Sequence, residues 1–137
     1  MWWIYALLSA LFAALTAVFA KVGIKGVDSD LATAIRTVVI LVIAWAIAFV
    51  KGSAITITSL SKQNFLFLGL SGIATGLSWV FYFKALQIGK VSQVAPVDKL
   101  SVALAIIISV LFLGEALTWK TAIGAVMIIG GTLVLIL

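Results

Sequence analysis

The sequence predicts an all-α membrane fold with five transmembrane helices, and three observations predict it. Apolar residues make up 65% of the 137 positions and charged residues 9%, against roughly 25% charged in a soluble domain. The apolar residues gather into five stretches, each of about twenty residues, the length that crosses about 30 Å of hydrocarbon as a helix. The stretches do not alternate: ALAIIISVLFLG is apolar throughout, whereas a barrel strand runs about ten residues with polar and apolar faces in turn. A water-soluble chain of this size buries only about 70% of its extended surface and could not hide such a composition.

The first stretch, roughly Trp3 to Ala20, has no basic residues ahead of it, and four more apolar stretches come after it. It is expected to be a span rather than a cleaved leader. Lys21, Lys25, Asp28 and Asp30 mark the first connection. Either Asp30 or Asp28 is placed to cap the second helix, roughly Leu31 to Val50, which carries Arg36 about one turn inside. Lys51 to Gln63 is rich in Ser and Thr and includes ITITSL, strand-like alone but read here as a surface or interfacial segment. Asn64 is the expected cap of the third helix, roughly Phe65 to Phe83. A short connection holding Lys84, Gly89 and Lys90 leads to the fourth segment, Val94 to Glu115. Thr118 is expected near the start of the fifth, which runs to Leu137.

The fourth segment organises the chain. It alone combines a helix breaker, Pro96, an adjacent acid and base, Asp98 and Lys99, and a long uncharged run. Two readings of Pro96 stand. If helix precedes it, it leaves a backbone carbonyl unpaired, as in the broken helices of transporters; if the helix starts there, it makes an ordinary first turn.

Five spans put connections one and three on one side of the membrane. Arg36, Asp98 and Lys99 are therefore expected at similar depth, with Lys84 at or just above them. A charge in the membrane is costly. Lys and Arg reach outward along their stems, which Asp cannot do. Arg36, Lys84 and Lys99 are each possible partners for Asp98. The layer is either a polar site with a responsive carboxylate or an ion pair joining helix ends. Trp79 and Tyr82, three apart, share a helix face; they either line a pocket or anchor the helix at the interface. Gly72 and Gly76 form a GxxxG spacing and Gly124 lies on the last helix, all candidate helix-packing positions. Glu115 is expected at the surface.

Lys51, Lys62 and Lys120 fall on one side of the membrane, and Lys21, Lys25, Lys84 and Lys90 on the other, with Arg36 just inside. Orientation follows this count, and the bias is small. Either the side of the C-terminus faces the cytoplasm, or the chain inserts both ways. Dual insertion would let two copies pair antiparallel with the inverted-repeat symmetry of many transporters.

Several functions are disfavoured. The chain has no cysteine and no histidine, which removes thiol chemistry, the usual general base and the usual metal ligand. No cofactor, metal or enzymatic activity is expected. The net charge of +5 is scattered rather than clustered, so no nucleic-acid partner is expected. No ring of like groups suggests a channel.

Ala85-Leu86 with its small-residue connection, the proline of VAPV (Pro96), LFLGE (Leu111 to Glu115), a Thr-containing turn and a Gly-rich last helix from near Gly124 form a recognisable set. Residues 1–137, most sharply from Ala85 onward, resemble a single EamA domain of the drug/metabolite transporter superfamily. The resemblance implies half of an inverted-repeat transporter. Larger members resemble two such domains fused, and an odd number of helices inverts the second. The resemblance thus implies a secondary transporter in the bacterial inner membrane, a homodimer moving a small polar or amphipathic metabolite through the lipid bilayer by alternating access. Its wall would come from helices two to four. The alternative is a non-transporting scaffold or a partner subunit of a heteromeric transporter. Two departures matter. The first helix lacks the acid of the small multidrug exporters, and Asp98-Lys99 stands where many members are uncharged.

Overall fold

The computed structural model describes residues 1–137. The chain is helical throughout: α1 Trp2–Gly23, α2 Ser29–Val50, a 3-10 helix Ser53–Ser59, α3 Lys62–Ile88, α4 Val91–Asp98, α5 Leu100–Ile108, a π-helical turn Ser109–Leu113, and α6 Trp119–Ile136. Five helical segments are long and apolar enough to cross a membrane, the fourth being Val91–Leu113. The protein is a multi-pass all-α membrane protein. It divides into two compact units, Ala20–Gln87 and a second made of Met1–Phe19 with Ile88–Leu137.

Within Ala20–Gln87, α2 starts earlier than the apolar pattern alone suggests. Asp28 is its cap: Oδ1 accepts from the backbone N–H of Asp30 at 2.9 Å and of Leu31 at 3.1 Å, satisfying donors that have no partner in the first turn. Asp30 is inside the helix. Gly52, at φ 71°, takes the left-handed position that closes α2, for which glycine has no steric cost. The ITITSL stretch is not a strand. Thr56 and Ser59 hydroxyls donate at 2.7 Å to carbonyls three residues back, and the segment forms a 3-10 helix against α2. At α3 the expected cap is corrected. Ser61 Oγ accepts from the Asn64 N–H at 3.1 Å, so Ser61 caps and Asn64 lies in the first turn.

α3 is 27 residues long, or about 40 Å at 1.5 Å per residue, well beyond the hydrocarbon thickness. The surplus is polar: Lys62, Gln63 and Asn64 at one end, Lys84 and Gln87 at the other. Lys84 is therefore a helical residue, and only Gly89 and Lys90 separate α3 from α4.

In the other unit, α6 packs against both α4 and α5. Thr118 lies at the start of α6, as expected, and caps it, accepting from the Thr121 N–H at 3.2 Å. The π-helical turn is closed by Gly114 at φ 69°, with the Glu115 N–H reaching the Ser109 carbonyl at 3.3 Å.

Few side chains are buried. In Ala20–Gln87 these include Phe83, Leu86, Ala20, Ile24, Ser29 and Thr33; in the other unit, Ala17, Ala103 and Thr132. Outward apolar surface is what a lipid solvent permits, since lipid tails are as apolar as Leu.

Candidate functional site

Polar contacts at one end of the Ala20–Gln87 unit tie the end of α3 to Lys21, to the turn before α2 and to the first turn of α2. Gln87 Nε2 donates to the Val27 carbonyl at 3.0 Å, and Lys21 Nζ donates to the Leu86 carbonyl. Lys84 Nζ lies 3.4 Å from Asp30 Oδ2, with both side chains about half exposed. These contacts set the end of α3 against the turn that precedes α2.

Deeper in, Ser29, Thr33 and Arg36 recur at helical spacing and share a face of α2. Ser29 and Thr33 are buried; the Thr33 hydroxyl donates to the Ser29 carbonyl at 2.8 Å, so the hydroxyl is satisfied within the helix. Arg36 lies seven residues from Ser29, about two turns into the helix, because α2 begins two residues before Leu31. Its guanidinium carbon is 4.5 Å from the centre of the Phe83 ring and 5.3 Å from that of Trp79. Trp79 and Phe83 are four apart and present their rings together. Nη1 of Arg36 is shielded from solvent and has no hydrogen-bond partner.

The sequence singled out Trp79 and Tyr82. The two rings that lie against Arg36 are Trp79 and Phe83. Tyr82 stands beside them, its ring edge-on to Phe83 at 6.2 Å and 68°, with Arg36 within its electrostatic reach. The signal for Phe83 was its i, i+4 spacing from Trp79.

The second polar locus lies on α4. Five helical residues, Val91 to Ala95, precede Pro96, so the broken-helix reading of the proline is the one realised. Pro96 offers no N–H to the Ser92 carbonyl. The chain responds by tightening: the Lys99 N–H bonds the Pro96 carbonyl at 3.0 Å, and the Val102 N–H bonds the Lys99 carbonyl at 3.0 Å, both three-residue steps. The Pro96 carbonyl also accepts from the Thr132 hydroxyl at 3.2 Å. At this joint Asp98 Oδ2 is 3.0 Å from Lys99 Nζ. Of the three candidate partners for Asp98, Lys99 thus holds it, and Lys84 is engaged by Asp30.

The candidate packing glycines stand in open space. A Cβ built on Gly72, Gly76 or Gly124 meets nothing within 4 Å. No three His, Cys, Asp or Glu side chains come together as a metal site would need.

A charged, aromatic-flanked side chain inside one span and a proline-broken second span are thus set among five apolar helices. The model of the EamA-like transporter family matches residues 1–137. The chain belongs to the EamA-like transporter family. As such it is a transporter of the drug/metabolite superfamily rather than an enzyme. This EamA-like chain is also 51% identical over 134 residues to a protein of a Sinorhizobium species described as an uncharacterized transporter in the cobO 3′ region, covering 98% of this chain and 95% of that one. No solved structure matches this EamA-like transporter.

Proposed function

We propose that this chain is one half of a secondary transporter of the bacterial inner membrane, completed by a second copy, which moves a small polar or amphipathic metabolite by alternating access. The observation that carries the reading is Arg36. A cation two turns inside a span, lying on Trp79 and Phe83 with Nη1 unpartnered, is costly, and such residues mark solute and ion pathways. Tyr82 and Lys84 extend that wall on α3. Pro96, Asp98 and Lys99 supply a broken helix of the kind that exposes backbone groups to substrate. The description of the Sinorhizobium relative as a transporter supports the same reading.

The pairing proposed is an antiparallel homodimer. Five spans and a small Lys/Arg bias favour insertion in both orientations, which would generate the inverted symmetry common in transporters. Gly72, Gly76 and Gly124, with open space around them, offer small-residue faces for contact between copies.

A periplasm-active and a cytoplasm-active reporter, fused separately to Leu137, test the pairing. Activity from both is the expected result. Activity from one alone rejects the antiparallel homodimer. Flux of a solute panel into proteoliposomes tests transport itself, and absence of flux for every solute favours a partner subunit.

A further inference from the structure

We infer that Arg36 is the recognition group for an oxyanion, and that the solute is a small organic carboxylate with an apolar body. This deepens the transport reading and rests on it. The acids of the Ala20–Gln87 unit are Asp28 and Asp30. Asp28 accepts two backbone N–H groups at the start of α2, and Asp30 pairs with Lys84. Neither is given to Arg36, so this cation, set inside α2, has no anion within the unit.

The guanidinium is held against rings. Phe83 and Trp79 lie five and nine residues from the end of α3 at Ile88, about 8 and 14 Å from it along the helix. The guanidinium lies over these two rings, with Nη1 shielded from solvent.

Orientation then selects the ligand. Cation–π contact engages the guanidinium against Trp79 and Phe83. Hydrogen bonding runs instead through the N–H groups in the guanidinium plane, of which Nη1 is uncommitted. The planar fork of a guanidinium matches the two oxygens of a carboxylate. Trp79, the half-buried ring of the two, would receive the apolar part of the solute, which inorganic phosphate lacks.

The test uses the purified full-length protein in nanodiscs, with benzoate as probe and benzamide, benzylamine and inorganic phosphate as comparisons, read by titration calorimetry. Benzoate is expected to bind and benzamide and benzylamine to bind at least about tenfold more weakly. Arg36→Lys, which keeps the charge but loses the fork, is expected to weaken benzoate about tenfold, and Arg36→Gln about a hundredfold. Circular dichroism showing unchanged helix content excludes misfolding as the cause. Binding that is equal in zwitterionic and phosphatidylglycerol nanodiscs supports a solute site; loss in the anionic lipid means lipid phosphate occupies Arg36 and overturns the inference. Benzoate binding unaffected by Arg36→Gln, phosphate binding as tightly as benzoate, or no benzoate binding at millimolar concentration also overturns it. Flux separates the two readings. Carriage of benzylamine or benzamide but not benzoate rejects the carboxylate and leaves transport standing, whereas Arg36-dependent benzoate binding without flux of any solute leaves the anion site and rejects transport.

Discussion

The Thr132 hydroxyl, buried on α6, reaches the Pro96 carbonyl of α4 at 3.2 Å while also lying 2.8 Å from the Ile128 carbonyl of its own helix. One hydroxyl proton is thus shared between the helix it belongs to and the helix it faces. Pro96 breaks the ladder of α4, and its own carbonyl, which already accepts the Lys99 N–H at 3.0 Å, takes a second donor from α6. Thr132→Val keeps the shape and removes the donor. It is expected to destabilise the protein by about 0.5–1.5 kcal/mol, the range of interhelical hydrogen bonds in membranes, measured by denaturant titration in mixed micelles.

Pro96→Ala restores the N–H that the Ser92 carbonyl lacks. With a continuous ladder, the three-residue bonds at Lys99 and Val102 lose their cause. Amide exchange across residues 96–102 is expected to slow relative to the natural chain, and unchanged exchange would mean that the α4–α5 joint does not depend on proline.

Asp28 and Asp30 separate cleanly by role. Asp28 caps α2 through Oδ1, so Asp28→Ala is expected to cost about 1 kcal/mol while Asp28→Asn, still an acceptor, costs much less. Asp30 pairs with Lys84 across α2 and α3, but both side chains are about half exposed. Such a pair contributes less than about 1 kcal/mol and is screened by salt. A double-mutant cycle of Asp30→Asn and Lys84→Gln in low and high salt measures the coupling, which should shrink as salt rises.

The five spans were legible because lipid imposes a simple demand: about twenty apolar residues for each helix. The ends were less so. Phe65 to Phe83 is the apolar part of α3, but backbone hydrogen bonding carries the helix from Lys62 through Ile88, beyond the point where hydropathy stops reporting. Ser61 outcompetes Asn64 as cap because its hydroxyl sits three residues before that N–H, a spacing visible in the sequence yet offered equally by other polar residues there. In the site, Arg36 and Trp79 were legible as a charge and an aromatic ring out of place in lipid. Phe83 was not preferred over Tyr82, since i, i+3 and i, i+4 neighbours share a face and only the rotation of α3 decides between them. The Asp30–Lys84 pair was hidden for another reason. It joins residues distant in sequence, and a local reading assigned each to a connection.

Asp98 tests whether the second polar locus handles solute. Its carboxylate pairs with the adjacent Lys99 at 3.0 Å, and neither side chain is buried. A pair left one third to one half exposed contributes at most modestly, so Asp98→Asn is expected to change unfolding free energy by less than about 1 kcal/mol. Any loss of flux at matched membrane expression then reports function and not folding. The transport reading, which places Asp98 beside the backbone break at Pro96, expects flux to fall in Asp98→Asn and to stay low in Lys99→Gln if the pair acts as a unit. Flux equal to that of the natural chain in both variants, with the same dependence on pH, would leave Asp98 and Lys99 as a surface pair at the turn between α4 and α5. The pathway would then be confined to the Arg36 wall.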